Sequence, residues 1–134
     1  MIAADASAAI AAFAPWHERQ GSVQEALGTA PSIIAHAAYE TYSVLTRLPE
    51  PQRAPAGLVV EQLDDLFADR WLSLPAGPLR AALARLEQLG VSGGKTYDGL
   101  IAITAASNDA TLVTLDRRAL QTYLLVGVSV EFVD

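Results

Sequence analysis

Four acidic residues, Asp5, Glu40, Asp98 and Asp116, stand where a carboxylate calls for an explanation. Asp98 is the sharpest case. It lies in TYDGLIAITA, residues 96–105, where Leu100, Ile101, Ala102, Ile103 and Ala105 surround the helical turn so fully that the helix is apolar on nearly every side. Such helices are buried. Taking an ionised carboxylate out of water costs several kcal/mol unless hydrogen bonds or a cation compensate it. Asp98 therefore either serves the helix start, where the macrodipole favours an acid by about 0.3–1 kcal/mol, or faces a cation. Asp5 and Asp116 each allow a similar choice between capping a helix and binding, and Glu40 alone reads as a solvated helical residue.

Taken together the four acids say more. Asp5 ends the short apolar run MIAAD, and Asp116 follows the run TLVTL, so on parallel strands both project from one edge of a sheet. If the two strands are neighbours, about 4.8 Å apart, the carboxylates share one site. Such a cluster repels itself and raises its own proton affinity unless cations sit among its members. Oxygen donors with open positions suit magnesium or manganese, which keep several waters. An ion of that kind can activate water and stabilise charge on a phosphoryl oxygen. The chemistry that follows is phosphodiester hydrolysis.

The elements that must position these acids can be read along the chain. MIAAD is a short strand, and Ser7 is a plausible N-cap for an alanine-rich helix limited by Pro15. A second helix spans 16–27, stopped by Gly28; PSIIA at 31–35 is a buried strand; 36–48 is a helix ended by Pro49 and Pro51. A proline-rich loop leads to a helix at 58–67, then a strand at 70–74 and an amphipathic helix at 77–90. After a flexible SGGK come the buried helix 96–108, the strand TLVTL, a short helix from Arg117 to Leu124 and the final strand VSVEFV. Glu40 lies one turn into its helix, at the flank of a stripe formed by Ala37, Thr41, Val44 and Leu48. Strands separated by helices predict an α/β layer structure with a mainly parallel sheet, and ligands collect outside the carboxyl ends of such strands.

Composition narrows the field further. A chain of 134 residues fits a single domain. The hydrophobic content of 51% comes largely from alanine, and no stretch approaches the roughly 20 apolar residues of a spanning helix. The opening residues resemble a signal peptide but lack a basic start and carry Asp5, which predicts a cytoplasmic protein without membrane association. With no cysteine and only His17 and His36, any metal is expected to be held by oxygen. A net charge of -6 argues against broad non-specific nucleic-acid binding, although divalent cations reverse the local sign in an acidic pocket.

The segments MIAADAS, YETYSVLTRL and TYDGLIAITAASNDATLVTLDRRAL together resemble the PIN-domain ribonucleases, and within them the VapC toxins of type II toxin-antitoxin pairs. The similarity spans essentially the whole chain. It implies a three-layer α/β/α sandwich with a central, mainly parallel sheet, and magnesium or manganese as cofactor. It also implies a homodimer, a cognate VapB-type antitoxin, and tRNA or rRNA as substrate. The family's acidic quartet falls on Asp5, Glu40, Asp98 and Asp116, which would be both catalytic and metal-binding, and its small hydroxyl residues fall on Ser7 and Thr114. Three positions depart from the pattern: the first strand is alanine-rich, Asn108-Asp109 replaces a glycine-containing turn, and Ala119 stands where many members carry an aromatic.

An acidic chain still needs local positive charge to hold RNA. Lys95, before Asp98, and Arg117 and Arg118, after Asp116, are placed to contact phosphates; Arg47 is a weaker candidate. His36 is expected to serve the start of its helix, and Tyr39, Tyr42 and Tyr97 are expected in core or dimer packing rather than on bases. A phosphoacceptor receiver domain does not fit, because Asp5 has no acidic neighbour and no lysine follows the last strands. A DxD phosphatase fails because Ser7 holds the place of the second acid. The alternatives left open are a PIN nuclease of RNA processing that has no antitoxin and a non-catalytic PIN-like binding module.

Overall fold

Ala3, Ala4, Ile33, Ile34, Leu112 and Val113 are all buried, and strands with no exposed face require helices on both sides of their sheet. The computed structural model, which describes residues 1–134, has this arrangement. In chain order the elements are β1 (Ile2–Ala4), α1 (Ala6–Phe13), α2 (Gln20–Leu27), β2 (Ser32–Ile34), α3 (Ala35–Arg47), α4 (Ala56–Phe67), β3 (Trp71–Leu72), α5 (Ala76–Gln88), α6 (Thr96–Ser107), β4 (Thr111–Thr114), α7 (Arg117–Val126) and β5 (Val130–Phe132). A single 3-10 turn, Gly93–Lys95, precedes α6.

The five strands form one sheet in the order β3-β2-β1-β4-β5, with every pair parallel. Parallel crossovers are right-handed. The connections β1 to β2 and β2 to β3 step one way and put α1 to α4 on one face; the return to β4 and the step to β5 put α5 to α7 on the other. Helix contacts divide in the same way: α1 packs on α2 and α3, and α3 on α4, while α6 packs on α5 and α7. The result is a three-layer α/β/α sandwich whose winding reverses between β1 and β4. Those two strands are hydrogen-bonded neighbours, with Ala4 opposite Val113. Open α/β sheets bind ligands at such a reversal, where the loops after the two strands part.

Alanine makes this arrangement tight. Ala8, Ala9, Ala11 and Ala12 of α1 are all buried, in one core with Ile33, Val59, Phe67 and Leu112. Small side chains let α1 lie close to the sheet and to α3, and the volume they leave is filled by larger partners such as the Phe13–Phe67 edge-to-face pair, with centroids 6.1 Å apart. On the opposite face Gly99 sets the approach of α6 to α5, because a Cβ there would stand 2.3 Å from Leu86 Cδ2.

Several sequence expectations change at the element boundaries. The second helix starts at Gln20 rather than at residue 16; in the turn before it, the Arg19 N–H donates to His17 Nδ1. The third strand shrinks to Trp71–Leu72, and within the SGGK segment, expected to be flexible, Gly93–Lys95 forms a 3-10 turn. Ser7 is not the N-cap of α1: Asp5 is, with Oδ1 accepting from the Ala8 N–H. The buried stripe of α3 is Ala37, Ala38, Thr41 and Leu45, which leaves Val44 and Leu48 at its margin. The turn 108–109 dispenses with glycine because Asp109 takes the left-handed conformation, φ 54°, which Asp tolerates better than most residues.

Candidate active site

The sheet brings the four acids to its carboxyl edge by four separate routes. Asp5 follows β1 directly and is buried. Its carboxylate is nevertheless well supplied: Oδ1 accepts from Ser7 Oγ at 2.6 Å and from the Ala8 N–H at 3.0 Å, and Oδ2 accepts from the Tyr123 hydroxyl at 2.8 Å. Asp116, exposed two residues after β4, caps α7 through Oδ1, which accepts from the Arg118 and Ala119 N–H groups at 2.9 and 3.2 Å. Asp98 lies in the first turn of α6 and Glu40 in the second turn of α3, both half-buried.

Proton accounting orders the hydroxyls between Asp5 and Asp116. Ser7 gives its proton to Asp5 and accepts from the Leu115 N–H at 2.9 Å. The 3.2 Å contact between Ser7 and Thr114 then requires Thr114 as donor. Thr114 Oγ1 in turn accepts from the Asp116 N–H at 3.1 Å. A single chain of donors thus runs from the backbone of Asp116 through Thr114 and Ser7 to Asp5, fixing the loop after β4 against the loop after β1.

The electrostatics are unrelieved. Burial pushes the Asp5 carboxyl above the ordinary carboxylate range, against the pull of its hydrogen bonds. Asp98 is raised by burial and then by the charges of Asp116 and Asp5; Glu40 is raised by burial and then by Asp98 and Asp5. No lysine or arginine pairs with any of the four: the ion pairs of the fold are Arg53–Glu50, Arg117–Asp134 and the loose 3.9 Å contact of His36 with Glu40. As the side chains stand, no three of them close into a ready-made ligand cluster. The acids form an open ring that feels its own charge, not the tight convergence that four ligands around one ion would give.

Comparisons with known proteins identify the family to which this fold belongs. The family model described as PIN domain matches residues 2–124. The chain belongs to the PIN-domain family. Among its relatives, ribonuclease VapC40 of Mycobacterium tuberculosis is 44% identical over 133 residues, covering 99% of each chain. Ribonuclease VapC27 of the same species is 41% identical over 101 residues, covering 74% of this chain and 72% of its own. The chain is therefore a PIN domain of the VapC type. Among solved structures, FitAB bound to an IR36 DNA fragment superposes with a TM-score of 0.71 at 22% identity, covering 98% of this chain and 94% of the other. PAE2754 from Pyrobaculum aerophilum gives 0.65 at 23%, covering 96% and 87%. Both agree with the fold described above.

In this PIN domain the residues expected at the site divide unevenly. Asp5, Ser7, Thr114 and Asp116 are joined by one hydrogen-bond chain, with Asp98 and Glu40 coupled to it through charge. Lys95 and Arg118 are exposed and make no ion pair. Arg117 is otherwise engaged: its guanidinium lies 2.6 Å from Asp134 Oδ1 and 4.9 Å from the centre of the Phe132 ring. Tyr39, Tyr42 and Tyr97 are exposed rather than in the core, and His36 makes no capping hydrogen bond at the start of α3, where its ring stacks on Tyr97. Sequence reasoning missed Tyr123. A tyrosine within the buried stripe Ala119, Thr122, Tyr123 and Val126 of α7 signals a hydroxyl in need of a partner, but nothing along the chain names Asp5 as that partner.

Two consequences can be measured. Tyr123→Phe removes a donor from a buried carboxylate and is expected to lower the unfolding free energy by about 1–2 kcal/mol, read by urea denaturation; an unchanged midpoint would dissociate Tyr123 from Asp5. The second concerns pH. The folded-state values of Asp5, Glu40 and Asp98 lie above their unfolded ones, so the folded chain holds extra protons between the two. The stabilisation by protonation is complete below the unfolded values and is lost as pH rises through the raised ones. Metal-free Asp98→Asn is therefore expected to melt above the wild type at neutral pH, with the gap closing as pH falls through the carboxylate range. A variant that melts lower at neutral pH would contradict the repulsion.

Proposed function

We propose that this PIN domain is an endoribonuclease toxin dependent on magnesium or manganese, acting on structured RNA such as tRNA or rRNA and neutralised by a VapB-type antitoxin. The observation that carries the reading is the set of four acids at the β1/β4 reversal, among which Glu40 and Asp98 are raised in proton affinity by burial and then by neighbouring acids, with no lysine or arginine paired to any of the four. The residues fit a hard divalent cation. All are oxygen donors; Asp98 and Glu40 accept no hydrogen bond within the protein, and Asp116 keeps one carboxylate oxygen free. The open spacing suits magnesium or manganese, which bind through few protein groups and retain water.

When bound at Asp5, Asp98 and Asp116, with Glu40 alongside, such a cation would activate water and stabilise charge on the phosphoryl oxygens. The chain's own contributions are distinct. Asp5 is fixed by Ser7, Ala8 and Tyr123 and cannot swing away. Asp116 is held through Oδ1 by the start of α7, leaving Oδ2 without a hydrogen-bond partner in the protein. Glu40, free of hydrogen bonds, is the residue placed to orient the attacking water or a second ion. Lys95 and Arg118 supply positive charge beside Asp98 and Asp116, where phosphates flanking the scissile bond would lie. Arg117 joins them on release from Asp134.

The toxin reading, the antitoxin and a homodimeric state rest on similarity to the VapC ribonucleases over the full chain. Those names describe the relatives, and the acids described above supply the independent chemical reason to extend the activity to this chain.

In a cleavage assay, chelation is expected to abolish RNA hydrolysis and added magnesium or manganese to restore it. Asp5→Asn and Asp98→Asn should each lower the rate by on the order of 10²-fold or more while keeping the native circular-dichroism spectrum. Full magnesium-dependent activity in either variant would refute the assignment. Lys95→Glu is expected to weaken RNA binding and to reduce the slope of log affinity against log salt by about 0.7 or more, as measured by salt titration; an unchanged slope would remove Lys95 from the phosphate path.

A further inference from the structure

His36 and Tyr97 come from different helices, α3 and α6, yet their rings lie 4.9 Å apart and within 3° of parallel. The pair is not part of the core: Tyr97 is 55% exposed and His36 is half-buried. The Tyr97 hydroxyl has no partner in the protein, and the imidazole stands 3.9 Å from Glu40 Oε2, too far for a hydrogen bond. Neither ring is held there by a polar contact, and neither closes the hydrophobic interior. Their placement is nonetheless specific. His36 lies one helical turn before Glu40, so the two share a face of α3, and Tyr97 immediately precedes Asp98. The stack is therefore mounted on the same two helices that carry two of the four acids, on the rim of the ring.

Resting on the ribonuclease reading, we propose that His36 and Tyr97 form a stacking platform for an unpaired base of the RNA strand, adjacent to the phosphate presented to the acids. One face of Tyr97 is covered by His36, so its exposed area is the other face and the ring edge, where a base would continue the stack. Lys95, two residues before Tyr97 at the end of the 3-10 turn, is exposed on the same approach and supplies a cation for the backbone of that nucleotide. Ring stacking and a phosphate contact together are how single-stranded nucleic acid is held without sequence readout, since every base has a π face. The platform thus positions a nucleotide and does not identify it. It also selects for strand regions whose bases can be splayed out, because a paired base offers no free face. Ring stacking supplies an attraction that does not depend on the sign of the nearby carboxylates.

The test begins with wild-type protein, total RNA and magnesium or manganese, followed by mapping of the cut. Absence of any cleavage with either metal would remove the ribonuclease reading, and the platform with it, before a variant is made. Where cleavage occurs, an oligoribonucleotide spanning the cut is synthesised with 2-aminopurine on each side in turn. Bound to Asp98→Asn protein, one of these positions is expected to be quenched by stacking, and the quench should disappear when Tyr97→Leu is added. In the active background, Tyr97→Leu is expected to raise KM on the order of ten-fold with a smaller change in kcat. Tyr97→Phe should regain most of the lost affinity, and His36→Phe should outperform His36→Leu. Unchanged KM and persistent quenching in Tyr97→Leu would overturn the platform. So would a change of oligomeric state in that variant, seen by light scattering, which would assign the stack to a subunit interface.

Discussion

A buried carboxylate must be hydrogen-bonded or neutralised, and Asp5 shows how this fold meets that demand. Its three donors come from different parts of the chain: the Ser7 hydroxyl and the Ala8 amide from the first turn of α1, and the Tyr123 hydroxyl from α7. Satisfying one side chain therefore ties the helix on one face of the sheet to the helix on the other, across the β1/β4 reversal. Ser7 adds a fourth link by accepting from Leu115 after β4. The same contacts that make Asp5 tolerable in the interior also hold the loops that carry Asp5 and Asp116 in fixed relation.

Satisfaction by hydrogen bonds does not cancel charge. Asp5, Glu40 and Asp98 all have raised proton affinities, each with burial as the leading cause, and no arginine or lysine is folded inward to relieve them. Structural ion-pair networks also perturb such values, but they do so with partners present; here the partners are missing from the chain itself. When ionised, Asp5, Glu40 and Asp98 count against folding, a pattern expected where residues are kept for chemistry rather than for packing. The fully packed alanine core beneath, with large side chains such as Phe67 and Ile33 each contributing about 1.5–3 kcal/mol by burial, supplies the stability that this arrangement draws on.

The distribution of basic and aromatic groups follows the same division. Beside the acids in sequence, positive charge is exposed at Lys95 and Arg118, with Arg117 turned to the chain's own Asp134. Aromatic rings that could have entered the core remain outside it, and two of them stack where α3 and α6 meet the site. A chain of net charge -6 thus carries a few exposed cations and aromatic faces next to its acids rather than a broad basic patch.

Much of this was legible in the sequence. The strand and helix types follow from periodicity and breakers, and a parallel sheet follows from their alternation. The anomaly of Asp98 in an apolar helix and the placement of Asp5 and Asp116 after strands are local facts, because a side chain's position along a strand is set by the chain itself. Tertiary structure alone decided what depends on partners distant in sequence. It made β1 and β4 neighbours, gave the donor role at Asp5 to Tyr123, turned Ser7 from a cap into a bridge, and stacked His36 on Tyr97. It also left the four acids as an open ring rather than a closed cluster. Hydrogen bonding, stacking and mutual repulsion act over a few ångströms in space, and residues 118 positions apart, as Asp5 and Tyr123 are, carry no mark of that proximity until the chain is folded.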